Sequence, residues 1–191
     1  MEYWVSEDGK SCHTAQGGSG GIYPRSTAGA IFQDGILVGG YQGGALKVSG
    51  QIYRIGTVAG YIGANGLETT DARIYRIRKD WASLTPAMVR QETAEYFETP
   101  IGSVTDADMQ VVLDNYATDW AEWPTHLGAP FYDLDEDGVY EPADGETPGI
   151  ANADQVLWFV CSDADPTTTA DLYGTEPMNI EMQMTLWGYN Q

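Results

Sequence analysis

The segment Asp133-Leu134-Asp135-Glu136-Asp137-Gly138-Val139-Tyr140-Glu141-Pro142-Ala143-Asp144 constrains the backbone more than any other stretch of this chain. Its pattern is D-x-D-x-D-G-x-x-x-x-x-D, close to the twelve-position calcium loop. Three carboxylates at alternate positions converge on one hard cation if the chain curls around it. Gly138 stands where that curl needs its sharp turn, because glycine alone takes positive φ cheaply. The candidate ligands are Asp133, Asp135 and Asp137, the backbone carbonyl of Val139, and Asp144 at the closing position. Pro-Thr-His-Leu-Gly-Ala-Pro-Phe-Tyr over 124–132 does not form an entering helix, and Pro142 opposes a regular leaving helix. The expectation is therefore a solitary Ca2+ loop of the extracellular kind, binding at about 10⁻⁴–10⁻³ M. Asp144 is shorter than the usual closing Glu, and an ordinary acidic turn is the competing reading.

Charge gives that loop its context. The formal net charge is −19 over 191 residues. All nine Lys and Arg lie at or before Arg90, whereas residues 91–191 carry 21 acidic side chains and no basic one. Such a half repels itself at neutral pH, and divalent cations or a basic partner would relieve it. Solubility alone is the plainer reading of an acidic surface. Nucleic acid is excluded as an expected partner, since phosphate binding needs clustered Lys or Arg. No apolar run approaches the length of a membrane span, so no membrane insertion is expected. Met1 is followed by Glu2, Tyr3 and Trp4 without a basic and then apolar leader, so no signal peptide is read here.

Along the chain, 1–29 reads as a Gly-rich N-terminal arm, with Gly-Gly-Ser-Gly-Gly at 17–21. Residues 30–191 read as a single β-rich domain. Short β-like runs follow at 30–32, 36–38, 45–48 and 51–55, with turns expected at Asp34-Gly35, Gly39-Gly40 and Ser49-Gly50. Residues 71–79 have no cleanly apolar face and suggest a charge-blunted edge strand. Helices are predicted near 85–98, opened by Thr85-Pro86, and near 105–121, where Met109, Val112, Leu113, Tyr116 and Trp120 form a helical stripe. Val156 to Cys161 reads as a buried strand, and Asn179 to Tyr189 alternates. The fold class is mainly β (α+β): an antiparallel sandwich or meander with two inserted helices and a calcium loop.

The remaining constellations carry less. Asp154, Asp163, Asp165 and Asp171 flank the apolar strand, as a second ion site or, more simply, as turn aspartates. Cys12 and Cys161 are either one long-range disulfide or two buried thiols. His13 and His126 are too isolated for a zinc or Ser/His site. Trp120, Trp123, Phe131, Tyr132 and Tyr140 cluster around the loop in sequence, as core or as a sugar-stacking surface. Paired carboxylates of a glycan hydrolase are expected by chance among 28 acids and rank third.

Several of these residues also carry a resemblance. Trp123-Pro124, Gly128 to Asp133, the Asp-rich loop, Asp144-Gly145, Pro148-Gly149, Ala153-Asp154-Gln155, Trp158-Phe159-Val160, Ser162-Asp163, Gly174, Pro177 and Glu181 follow in order. Over 123–187 the chain resembles the N-terminal region of large, uncharacterised secreted bacterial proteins of the kind exported by type IX secretion. Tyr23-Pro24 and Ala30 to Gly40 resemble their upstream segment more loosely. The resemblance implies a secreted or cell-surface location and a bound metal, and transfers no activity. The expected function is thus a secreted, calcium-stabilised structural or adhesive module, a non-enzyme that self-assembles or joins another surface protein. The alternative is a carbohydrate-binding module using calcium and surface aromatics.

Overall fold

A computed structural model describes residues 1–14, 18–25, 27–52 and 55–190. The strands in chain order are β1 (Glu2–Tyr3), β2 (Gly21–Ile22), β3 (Gly29–Ile31), β4 (Ile36–Gln42), β5 (Ala45–Gln51), β6 (Val58–Ala59), β7 (Tyr61–Gly63), β8 (Gly66–Glu68), β9 (Tyr75–Arg78), β10 (Phe131–Tyr132), β11 (Thr147–Pro148), β12 (Gln155–Ser162) and β13 (Glu181–Gly188). The α-helices are α1 (Pro86–Tyr96), α2 (Asp106–Ala121) and α3 (Pro166–Tyr173). The fold is mainly β, with several antiparallel sheets and three helices, as the sequence implies. None of the helices is long and apolar enough to cross a membrane among the described residues.

The chain groups into two compact units, 1–74 with 159–184, and 75–158 with 185–191. None of the three boundaries between them falls at 29/30. In the first unit, the segment read as an arm carries β1 and β2, which pair antiparallel with each other and then with β3. Parts of that segment, Ala15, Gln16, Gly17 and Ser26, lie outside the described residues, as do Tyr53 and Arg54 of the expected run 51–55. β4 and β5 form one hairpin with Ile36 opposite Gln51. Its turn is Gly43-Gly44, at φ +60° and +84°, not the expected Gly39-Gly40. The type I′ hairpin turn needs both central residues at positive φ, as Gly43 and Gly44 have, whereas Gly39 and Gly40 lie within β4.

The end of β12 pairs with β6, Cys161 opposite Ala59. Asp163, fully buried after β12, accepts the Met178 and Ile180 N–H groups at 2.7 and 2.8 Å. Asp165 instead caps α3, accepting from Thr167 N–H at 2.8 Å, with Pro166 as the first helical residue. Reading Asp165 and Asp171 as turn aspartates, with two helices in all, missed this third helix. Cys12 and Cys161 are both free and buried, so the disulfide gives way to two thiols.

In the second unit, both predicted helices form. Thr85 precedes Pro86 at the start of α1. α2 opens on a reciprocal box: Asp108 N–H donates to Thr105 Oγ1 at 3.2 Å, and Thr105 N–H donates to the Asp108 carboxylate at 2.9 Å. Such a cap contributes about 1 kcal/mol. Met109, Val112 and Tyr116 of the predicted stripe pack with Val89, Ala94 and Val104 as one core. β9 pairs with the first half of β12, Tyr75 opposite Trp158 and Ile77 opposite Val156, and these four side chains are buried. The charged face of β9 is held by partners. Arg76 and Arg78 reach Glu92 of α1 at 2.9 and 3.4 Å, and Arg78 also meets Asp80 at 2.9 Å. The buried Asp119 of α2 accepts Arg76 N–H at 2.8 Å. Helix carboxylates thus cover a strand that the sequence shows only as charged.

Candidate metal centre

The loop is built on a short antiparallel ladder. β10 and β11 pair Phe131 with Pro148 and Tyr132 with Thr147, so 133–146 is the connection between two paired strands. Below the ladder, Pro130 C=O accepts both the Trp123 indole N–H and Gly149 N–H, each at 2.8 Å. A long side chain from the end of the α2 segment therefore fixes where the loop begins.

Within the loop, each aspartate folds the backbone around itself. Asp133 accepts Glu136 N–H at 2.7 Å on one oxygen and Gly138 N–H at 2.9 Å on the other. Asp135 accepts Asp137 N–H at 3.3 Å, and Asp137 accepts Val139 N–H at 2.7 Å. Positive φ at Glu136 (+65°) and Gly138 (+80°) makes these local bonds possible. The outcome is convergence: one carboxylate oxygen from each of Asp133, Asp135 and Asp137 lies within 4.8 Å of the others. Calcium–oxygen distances are about 2.3–2.6 Å, so ligands on opposite sides of one ion stand about 5 Å apart. Three hard oxygen donors at this spacing can hold a metal ion, and this is the only such acidic, His or Cys group among the described residues.

The other expected ligands are placed differently. Asp144 lies in a 3₁₀ turn, Pro142–Asp144, ended by Gly145 at φ +97°, and is not part of the three-aspartate group. Val139 is exposed at position seven of the loop. Glu141, at position nine, was not singled out from sequence. Its carboxyl is raised above the usual range by the charges of Asp137 first, then Asp144. That shift reports a concentrated negative field on this side of the loop. Among the described residues, no Lys or Arg ion pair reaches any of these acids.

Glu146 is the second residue that sequence reading passed over. It is 4% exposed, and its two oxygens accept Leu134 N–H at 2.9 Å and Glu141 N–H at 2.7 Å. It stands two positions beyond the nominal end of the motif, so a twelve-residue template does not include it. The second acidic set does not assemble. Asp154 is bound to Lys79, Asp163 holds the chain before β13, and Asp165 caps α3.

Of the aromatic cluster, Trp123 belongs to the core, Trp120, Phe131 and Tyr140 are half-buried, and Tyr132 is on the surface. Trp123 is buried, edge-on to Tyr75 at 6.3 Å. Trp120 packs on Trp81 at 5.8 Å, and Phe131 stands against Tyr140 at 5.6 Å. The Tyr140 hydroxyl donates to Trp120 C=O at 2.8 Å. Tyr132 is exposed. No protein-family model, curated protein or solved structure matches the chain.

Proposed function

We propose that Asp133, Asp135 and Asp137 bind one Ca2+ ion, and that the protein is a secreted structural or adhesive module stabilised by it. The convergence of three carboxylate oxygens within 4.8 Å, without a described basic partner, is the observation that carries this reading. The all-oxygen donor set suits a hard cation, and six- to eight-fold coordination leaves places for Val139 C=O, an acid at position nine or twelve, and water. Calcium is favoured over magnesium because octahedral Mg–O distances of about 2.0–2.1 Å need a tighter cage. Stabilisation rather than signalling is favoured because β10 and β11, not helices, flank the loop.

Assembly with a second copy or another surface protein is the partner reading. It draws support from the exposed apolar side chains Ile36, Leu37, Val38 and Tyr41 of β4. Carbohydrate binding has less behind it, since Trp123 is committed to the core and Trp120 and Phe131 to other rings.

The test is a thermal melt in about 10 mM calcium against EDTA. For a site of about 10⁻⁴–10⁻³ M, mass action gives about 1.4–2.7 kcal/mol of stabilisation. That is a rise of several degrees, absent from Asp135→Asn. Equal melting temperatures in calcium and EDTA would refute the metal reading. Sedimentation of the same samples reads the assembly state, and a monomer at all concentrations would count against self-assembly.

A further inference from the structure

Glu146 is the last residue of the 133–146 connection, two positions past the twelve-residue motif, and its position has a consequence for the ion. It is a nearly buried carboxylate, and burying one is costly unless its oxygens are hydrogen-bonded. Here both oxygens are, and their two donors lie on opposite limbs of the loop. Leu134 follows the first aspartate, and Glu141 follows the turn at Gly138. One side chain therefore spans the loop as a chord between residues seven apart in sequence, with Asp135 and Asp137 between its two anchor points and Asp133 directly before the first. β10 and β11 fix the base of the loop. The Asx-type bonds of Asp133, Asp135 and Asp137 fix only neighbours up to five residues away. Among these bonds, the Glu146 pair alone ties limb to limb above the ladder.

We propose that Glu146 is the positioning residue of this site: its bridging carboxylate holds the aspartates converged before the ion arrives, so binding does not bear the cost of ordering them. The inference rests on the calcium reading above. Preorganisation of this kind raises affinity by removing ordering costs. Groups that orient metal ligands without touching the ion typically carry 10–100-fold of the affinity. Glu146 also adds negative charge near the site, so charge and reach must be separated. Glu146→Gln removes the charge and keeps one acceptor oxygen. Glu146→Asp keeps the charge but is one methylene too short to reach both N–H groups.

Two measurements on the full chain test this. The first is direct calcium titration by calorimetry, at a temperature where circular dichroism shows wild type and both variants folded. Wild type should bind, and both Glu146→Gln and Glu146→Asp should weaken binding by about 10–100-fold. The second is amide hydrogen exchange in EDTA: Leu134 and Glu141 should be protected in wild type and exchange much faster in both variants. Wild-type affinity in Glu146→Asp would mean that charge alone acts, and would overturn the positioning role. A lowered melting temperature with unchanged calcium affinity would reduce Glu146 to a structural residue and overturn it too. Unprotected Leu134 and Glu141 amides in wild type would remove the chord itself, even if calcium binds. Absence of calcium binding in wild type, with those amides protected, would defeat the calcium reading and the proposal with it, leaving Glu146 as a structural clasp.

Discussion

Replacing Trp123 with Ala should unfold much of the second unit's packing without touching a ligand surface. The side chain is 3% exposed, stands edge-on to Tyr75 at 6.3 Å, and donates its indole N–H to Pro130 C=O at 2.8 Å. Truncating a buried Trp to Ala leaves a large cavity and costs about 3–5 kcal/mol. The lost hydrogen bond is a smaller part, about 1 kcal/mol, because Pro130 C=O keeps the Gly149 N–H. Trp123→Phe retains most of the ring against Tyr75 and loses the N–H, so about 1–2 kcal/mol is expected. Urea denaturation followed by far-UV circular dichroism is the assay, since removing a Trp alters fluorescence by itself. With a slope near 1.5 kcal/mol/M, Trp123→Ala should move the midpoint by about 2–3 M, and Trp123→Phe by about 1 M. A Trp123→Ala variant within about 1 kcal/mol of wild type would refute the core assignment. Loss of glycan binding at unchanged stability would refute it too, and would restore the sugar-stacking reading.

Two further outcomes follow from the same geometry. Asp108 is held below the usual carboxylate range, first by the Thr105 backbone N–H and then by the Thr105 hydroxyl. A depressed folded-state value means that the α2 box stabilises fully above the unfolded value near 4, and that this is lost as pH falls through the folded value. Asp108→Asn should therefore flatten the acid limb of melting temperature against pH below about 4, and parallel limbs would refute it. Burial pushes the Cys161 thiol up to about 11 and raises Cys12 as well. Thiol reagents at pH 8 should thus titrate two thiols only after denaturation, and an intact mass two hydrogens short would instead establish a disulfide.

What was legible in the sequence was what local rules carry. Thr85-Pro86 and Thr105 with Asp108 marked both long helices, and the stripe from Met109 to Tyr116 marked the face that α2 buries. The D-x-D-x-D-G spacing marked three carboxylates that do converge. Long-range partners were not legible. Asp163, Asp165 and Asp154 look alike as residues near turns, yet one holds a buried chain segment, one caps a helix and one pairs with Lys79. Which aspartate does which depends on the N–H or ammonium group that the fold brings to it. Two Gly-Gly pairs lie close together, and only strand register decides that 43–44 rather than 39–40 turns the hairpin. Glu146 was invisible for the same reason, since its two donors become neighbours only once the loop has closed.

The uneven charge of the chain gains meaning from where its bases go. In the second unit Arg76 and Arg78 are taken by Glu92 and Asp80, Lys79 by Asp154, and Arg90 stands 3.9 Å from Asp106. Each is engaged with an acid outside the loop. The loop is left with six carboxylates between Asp133 and Asp144 and no basic residue of its own. An acidity that served only solubility would have these groups splayed into water, where about 80-fold dielectric screening makes their repulsion small. Instead three, Asp133 half-buried and Asp135 and Asp137 exposed, are drawn together by backbone N–H bonds until their oxygens lie within 4.8 Å of one another. The resulting field is strong enough to raise Glu141 at the loop's exposed side. A raised folded-state carboxyl destabilises the fold as pH rises through its unfolded value towards the folded one, the opposite sense to Asp108. A bound cation would reverse that sign by supplying the positive charge that residues 91–191 lack. Convergence against that repulsion is the arrangement that the proposed calcium site would use, and a cation held there would offset it.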